Sequence, residues 1–326
     1  MIMAFIQIIT NNILPLLVFV AIGYFMDRKY RLNVSALTKL TFYVILPCFI
    51  FYNIYVANID LSLFHVFFIA LAIMTLLGII GTIIAKTLHW DSAKKEAFKN
   101  GTMFSNAGNI GIALVALVFS NDPYVIGGET PYLSEAAAVS TLILVQMNMF
   151  LNTLGMYQAG KGSLSPHDAL MVVARMPVIY TLTAAFIIKY LGWNIDSTFV
   201  WPILQNSASA LVAVVMMALG IQIHQSKISF GDPDAWLACF IRLIMGPACA
   251  WFLIQIWAFA GHPFSPIASQ TIFIVASAPS AVNSVLYAVE FHNYEDLSTE
   301  IVMMSTFLSC ITMTCAIYFA RILFPL

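Results

Sequence analysis

Ten long apolar stretches follow one another along this chain, separated by charged or turn-rich breaks. Each is close to the ~20 residues that a helix needs to cross a hydrocarbon core about 30 Å thick. In lipid every backbone N–H and C=O must find a partner inside the protein, so such a chain folds as packed α-helices. The first five stretches run from Phe5 to Met26, Leu37 to Val56, Phe64 to Leu88, Lys94 to Phe119 and Glu135 to Tyr157. The second five run from Ala169 to Leu191, Trp201 to Ile223, Trp236 to Ala260, Pro266 to Phe291 and Leu297 to Leu323. Ten spans occupy about 200 positions, which leaves only short connections and no sizeable aqueous domain. The composition agrees, with 61% hydrophobic and 9% charged residues against roughly 45–50% and about 25% in soluble domains. A net charge of -1 excludes the basic excess of a nucleic-acid binder.

Several functional classes drop out early. Cys48, Cys239, Cys249, Cys310 and Cys315 are odd in number, lie in apolar stretches and form no CxxC pair. They read as small packing residues rather than a disulfide framework or zinc site. His65, His89, His167, His224, His262 and His292 fall in loops or near span ends without an HExxH motif, so neither a metal nor another cofactor is expected. No phosphate-binding glycine loop marks an ATP-driven pump, and no G-x-S-x-G elbow marks a hydrolase. The stretch up to Met26 carries no charge, unlike the basic start of a cleaved signal peptide, and reads as the first membrane helix.

Orientation follows from the basic residues. Arg28, Lys29, Arg31 and Lys39 flank the first connection, and Lys86, Lys94, Lys95 and Lys99 the third. Lys161 and Arg175 flank the fifth, and Lys227 and Arg242 the seventh, whereas Lys189 and Arg321 lie towards the opposite face. The odd connections are therefore expected in the cytoplasm and both termini outside. The Gly, Ser and Pro-containing segment Gln158 to Asp168 divides residues 1–157 from residues 169–326 as a cytoplasmic linker. Five spans per half is an odd number, so two repeated halves must insert in opposite directions.

The halves also match in where they are interrupted. Pro15 and Pro177 stand early in the opening span of each. The fourth span of each carries a polar cluster, Ser105 to Gly111 in one and Ala278 to Ser284 in the other. Each cluster begins about 12 residues, or roughly 18 Å, into its span, near mid-bilayer. Gly108 and Gly111 weaken a helix, and Pro279 removes an amide donor and clashes with the preceding turn. Paired interruptions of this kind point to a transport site at the midplane, where half-helix N-termini favour a carboxylate. Asn106, Gly108, Asn109, Pro279, Ser280 and Asn283 are the candidate residues there. Asn148 and Asn152, at i and i+4 in the fifth span, share one face and either line the cavity or hydrogen-bond between helices. Asn53, beyond Pro47, carries the same pair of readings, while Gln205 and Asn206 read as structural. Glu135, Glu290, Glu300, Arg175 and Arg242 are expected to reach water or pair at the interfaces, which leaves no carboxylate beside either break for a proton relay.

With these residues in view, the chain resembles the auxin efflux carrier family, which includes the plant PIN proteins and bacterial malate and malonate permeases. The resemblance spans nearly the whole length and rests on Gly23 and Tyr24, on Tyr43 to Pro47, on Asn106 to Gly111 and on Ala278 to Asn283. It implies an all-α integral membrane fold of ten transmembrane helices in two inverted five-helix repeats, with broken helices four and nine crossing. It further implies a scaffold of spans one, two, six and seven, often dimeric, and a moving transport unit of the other six. The crossover asparagines map onto Asn106 or Asn109 and onto Asn283, and the second-repeat proline onto Pro279. Gly108 stands where the family has its first crossover proline, and the long hydrophilic linker of the large plant members is absent. A secondary transporter of small organic anions in the cell membrane is the leading expectation. A sodium-coupled carrier of the bile-acid type and a non-transporting receptor on the same fold are the alternatives. A cysteine placed at Ser163 is predicted to react with a membrane-impermeant thiol reagent only after cells are opened; labelling of intact cells would reverse the topology.

Overall fold

The computed structural model describes residues 10, 14–56, 64–160, 177–225 and 230–326. Most of the start of the first expected span, most of the Gln158 to Asp168 linker and the start of the sixth span lie outside the described residues. The helices are α1 (Leu14–Tyr30), α2 (Val34–Leu40), α3 (Leu46–Val56), α4 (Phe64–Thr87), α5 (Ser92–Met103) and α6 (Ile112–Phe119). They continue with α7 (Leu133–Ala159), α8 (Pro177–Tyr190), α9 (Val200–Gln225), α10 (Pro233–Phe259), α11 (Pro266–Ala276), α12 (Asn283–Glu290) and α13 (Glu295–Leu323). Among the described residues α4, α7, α9, α10 and α13 are long and apolar enough to cross a membrane. Shorter apolar helices cover Tyr43–Val56, Ala107–Phe119 and Pro266–Ala276. The described residues contain no β-strand, only isolated bridges.

Two prolines inside apolar helices are absorbed in the same way. A proline ring strikes the carbonyl four residues before it and withholds an N–H. For Pro47 and Pro247 those carbonyls belong to Tyr43 and Leu243, and each lies in a π turn, Thr41–Ile45 and Ile241–Met245. Widening the helix by one residue at that point moves the carbonyl clear while the chain keeps its direction.

The chain divides into two compact units. The first comprises residues 1–61, 108–141 and 176–227. Its tightest contact joins α1 to α9. A Cβ on Gly23 would lie 2.1 Å from the Met217 carbonyl oxygen, and one on Gly220 would lie 1.9 Å from that of Val20. Lipid tails are as apolar as leucine, so helices associate in membranes through such close backbone approach rather than through apolar burial. At the end of the same pair Asp27, 2% exposed, accepts from the Leu32 amide at 2.7 Å and the Gln225 amide at 3.0 Å and meets His224 Nδ1 at 2.6 Å. Elsewhere in this unit Lys189 donates to the Ile54 and Tyr55 carbonyls at 3.1 and 2.9 Å, which caps the C-terminal end of α3.

The second unit comprises residues 62–107, 142–175 and 228–326. Three of its helices are tied at one polar cluster of starting turns. Asp91 caps α5 through the Ala93 and Lys94 amides at 2.8 and 2.9 Å and accepts the Tyr294 hydroxyl at 2.5 Å. That carboxylate raises the pKa of the Tyr294 hydroxyl. Asp232 caps α10 through the Asp234 amide, its own N–H donates to Glu300 of α13 at 2.9 Å, and Lys94 pairs with Asp234 at 2.5 Å. Small residues again set the spacing, since a Cβ on Gly101 of α5 would lie 2.8 Å from the Ile301 side chain of α13.

Overpacking a close contact costs about 1–3 kcal/mol or more. Gly23→Ala and Gly220→Ala are therefore each predicted to lower the melting temperature of the purified protein. Ser209→Ala, exposed on the same helix as Gly220, is predicted to leave it unchanged. Equal melting of all the variants would show that the approach of α1 to α9 does not limit stability.

Candidate functional site at the paired helix breaks

Both interrupted segments stop helically and then run extended. In α11 the Ser277 hydroxyl and N–H both donate to the Ile274 carbonyl, at 2.6 and 3.1 Å, and close the last turn. Pro279 cannot continue the helix and biases Ala278 away from helical geometry. In α5 the chain turns extended at Phe104, with φ -98 and ψ 119, and the polar residues Ser105 and Asn106 follow. The two extended stretches then pair antiparallel, with Ser105 opposite Ser280. The Asn106 amide donates to the Pro279 carbonyl at 2.7 Å, and the Ala281 amide donates to the Phe104 carbonyl at 2.9 Å. Pro279 serves here through its carbonyl alone, so its missing N–H leaves no gap in the pairing.

The last carbonyls of a helix have no partner within it, and in apolar surroundings each unpaired one would cost several kcal/mol. All four of α5 are satisfied. Asn100 accepts from the Phe104 amide, and Gly101 accepts from the Ser280 hydroxyl at 2.5 Å. Thr102 and Met103 accept from Arg242 Nη1 at 3.2 and 3.4 Å. In α11 the Val275 carbonyl accepts from Ala278, and the Ala276 carbonyl accepts from Arg242 Nη2. The Ser280 amide donates at 3.1 Å to Ser305 of α13.

Arg242 corrects an expectation. Its place in the sequence suggested a side chain reaching the cytoplasmic interface, yet it is 0% exposed and bonds to the carbonyl ends of both interrupted helices. It forms no ion pair with a carboxylate among the described residues. Two helix C-termini, each about half a negative charge, supply the compensation that an isolated buried cation requires. His224, near a span end as expected, forms a polar contact with Asp27 between helices of the first unit that the sequence did not single out.

Beyond the break, Asn283 begins α12 half-buried, and Tyr287 stands one turn further on the same face. The Tyr287 hydroxyl donates to Asn152 Oδ1, and Asn152 Nδ2 donates to the Asn148 carbonyl at 2.7 Å. Asn152 lies in a third π turn, Leu151–Gly155, whose Gly155 carbonyl accepts from Asn100 of α5 at 2.9 Å. The second unit thus brings together Asn106, Pro279 and Ser280 at the pairing, and Asn152, Asn148 and Tyr287 beside α12. Gly108 and Asn109 lie half-buried in the π turn Ala107–Gly111, on the segment assigned to the first unit. Asn53, also in the first unit, donates to the Phe49 carbonyl at 2.8 Å. It lines a cavity of about 260 Å³ with Tyr52, Glu129, Thr130 and Ser134. Sequence reasoning missed Arg242, Tyr287, Ser305 and Asn100. For Arg242 a signal existed, because a charge inside an apolar span usually faces the protein interior and serves the site.

The profile of the family described as membrane transport protein matches residues 8–317. The chain belongs to that family, the one that holds the auxin efflux carriers. It is similar to an uncharacterized transporter of Methanothermobacter thermautotrophicus, 26% identical over 313 residues that cover 93% of this chain and 96% of the relative. A second uncharacterized transporter, from Methanocaldococcus jannaschii, is 24% identical over 307 residues, covering 91% and 92%. Family and apolar helices together make this a multi-pass membrane protein of transport.

Ser280→Ala leaves the Gly101 carbonyl buried without its hydroxyl partner, which costs about 1–3 kcal/mol. Thermal melting of this variant is predicted to fall clearly below that of Ser209→Ala, which removes only an exposed contact. Equal melting would mean that another donor reaches Gly101.

Proposed function

We propose that this transport protein is a secondary carrier that moves a small organic anion, such as a carboxylate, across the cell membrane by alternating access. In this reading ten membrane helices form two inverted five-helix repeats, residues 1–157 and 169–326, with interrupted helices crossing at the paired breaks. Both termini lie outside the cytoplasm, and two copies form a dimer through the scaffold spans. The observation that carries the reading is the hydrogen-bonded pairing of Asn106 with Pro279, with Arg242 on the carbonyl ends. Negative helix ends are neutralised there, while the helical turns that begin at Ala107 and Asn283 present positive N-terminal ends. That polarity selects an anion. Asn106, Pro279, Ser280 and Asn283 of the second unit are the proposed contacts, with Asn148 and Asn152 beside them, and Gly108, Asn109 and Asn53 are the candidates in the first unit.

A sodium-coupled carrier is the alternative, and sodium dependence of uptake separates it from the first. Flux into reconstituted vesicles separates a carrier from a receptor. A thermal-shift screen of carboxylates on purified protein supplies the ligand, since binding to the folded state raises stability by mass action. A hydrogen bond to a charged partner contributes about 1.5–3 kcal/mol, so Asn106→Ala and Asn283→Ala are each predicted to weaken binding about 10- to 150-fold. Asn206→Ala is the control. Wild-type affinity in both variants would refute the site, and loss of folding in place of affinity would make the asparagines structural.

A further inference from the structure

The carbonyl oxygens of Thr102, Met103 and Ala276 converge on one buried place from the C-terminal ends of two helices. Oxygen ligands at helix ends and unwound backbone are the donor set that a hard metal cation takes. Here a guanidinium stands among them. We propose that Arg242 is a built-in substitute for a metal cation, holding the ends of α5 and α11 together and closing the paired breaks to sodium ions.

The fit is specific to arginine. Its guanidinium offers five N–H donors in a rigid fork and no acceptor, so its two terminal nitrogens reach carbonyls of two different helices at once, as a single point donor would not, while Nε has no hydrogen-bond partner among the described residues. Nη1 serves α5 and Nη2 serves α11. Within α10 the backbone is shaped around it. Arg242 lies in the π turn Ile241–Met245, and Gly246 follows directly. A Cβ on Gly246 would lie 2.7 Å from the Ala276 carbonyl oxygen and 2.9 Å from Arg242 Nη2. A side chain at position 246 would therefore push the guanidinium and the Ala276 carbonyl that it meets apart. A guanidinium stays protonated at physiological pH, so the charge here neither exchanges with the medium nor follows its ion content. Only α5, α10 and α11 build this contact, whichever anion the protein carries.

Thermal melting of the purified protein in sodium, potassium and choline chloride at equal ionic strength tests it. The wild-type protein should melt at the same temperature in all three. Arg242→Ala should melt lower in choline chloride and recover much of the loss with sodium or millimolar methylguanidinium, neither of which shifts the wild-type protein. Arg242→Lys keeps one charge, and should melt between the two and ignore added cations. A purely structural arginine would give a loss in Arg242→Ala that no cation restores, and that result overturns the proposal. So would Arg242→Ala melting as the wild type does. Sodium-specific stabilisation of the wild type or of Arg242→Lys would overturn it even if Arg242→Ala cannot be purified.

Discussion

Interrupting a helix in apolar surroundings releases carbonyls that water cannot reach, and the second unit is organised around that difficulty. Ending α5 at Met103 and α11 at Ala276 exposes backbone groups from two helices in one place. No single neighbour could meet them all. The solution recruits the opposite extended stretch, a serine from each of two segments and an arginine from a third helix. Antiparallel pairing meets Phe104 and Pro279, Ser280 meets Gly101, and Arg242 meets the remaining ends of both helices. Because each partner lies on a different element, the positions of α5, α10, α11 and α13 are mutually dependent. The breaks are possible only as a set.

The interruptions were legible in the chain as paired polar clusters at matching depth, and Pro279 stands in the second extended stretch, but the first break begins at Phe104 and the glycines Gly108 and Gly111 lie beyond it in the π turn Ala107–Gly111. The length of the apolar stretches placed the helices, and each apolar stretch carries helix in its described part. What the residues did not disclose was tertiary. Arg242 stands in an apolar run within reach of a basic loop, and a one-dimensional reading sends such a side chain outward by snorkelling. Only the proximity of α10 to the ends of α5 and α11 reverses that preference. Tyr287 carries no sequence mark beyond its position one turn from Asn283, and its contact with Asn152 depends on a π turn that no composition rule foretells. The π turns before Pro47 and Pro247 are the intermediate case. A proline inside a long apolar span signals a disturbance, but whether the helix kinks, breaks or widens is settled by packing.

Asn152 shows how one residue can satisfy two demands. Its amide nitrogen stays within its own helix, on the Asn148 carbonyl, while its oxygen receives Tyr287 from α12. The same widened turn hands its Gly155 carbonyl to Asn100 of α5. A helix distorted at one place thus gives polar handholds to two neighbours at once, where a regular helix would keep its carbonyls to itself.

The mutual seating of Gly23 and Gly220 has a kinematic consequence. Each glycine lies under the other helix's backbone carbonyl, with no side chain between to act as a soft bearing. Sliding α1 along α9 by a residue would bring Ile22 or Tyr24, Leu219 or Ile221 into that space, and rolling either helix would also crowd it. The pair therefore has few internal degrees of freedom and behaves as a single beam of two strands. Any working motion of the protein must be absorbed at joints elsewhere, because this one has no play.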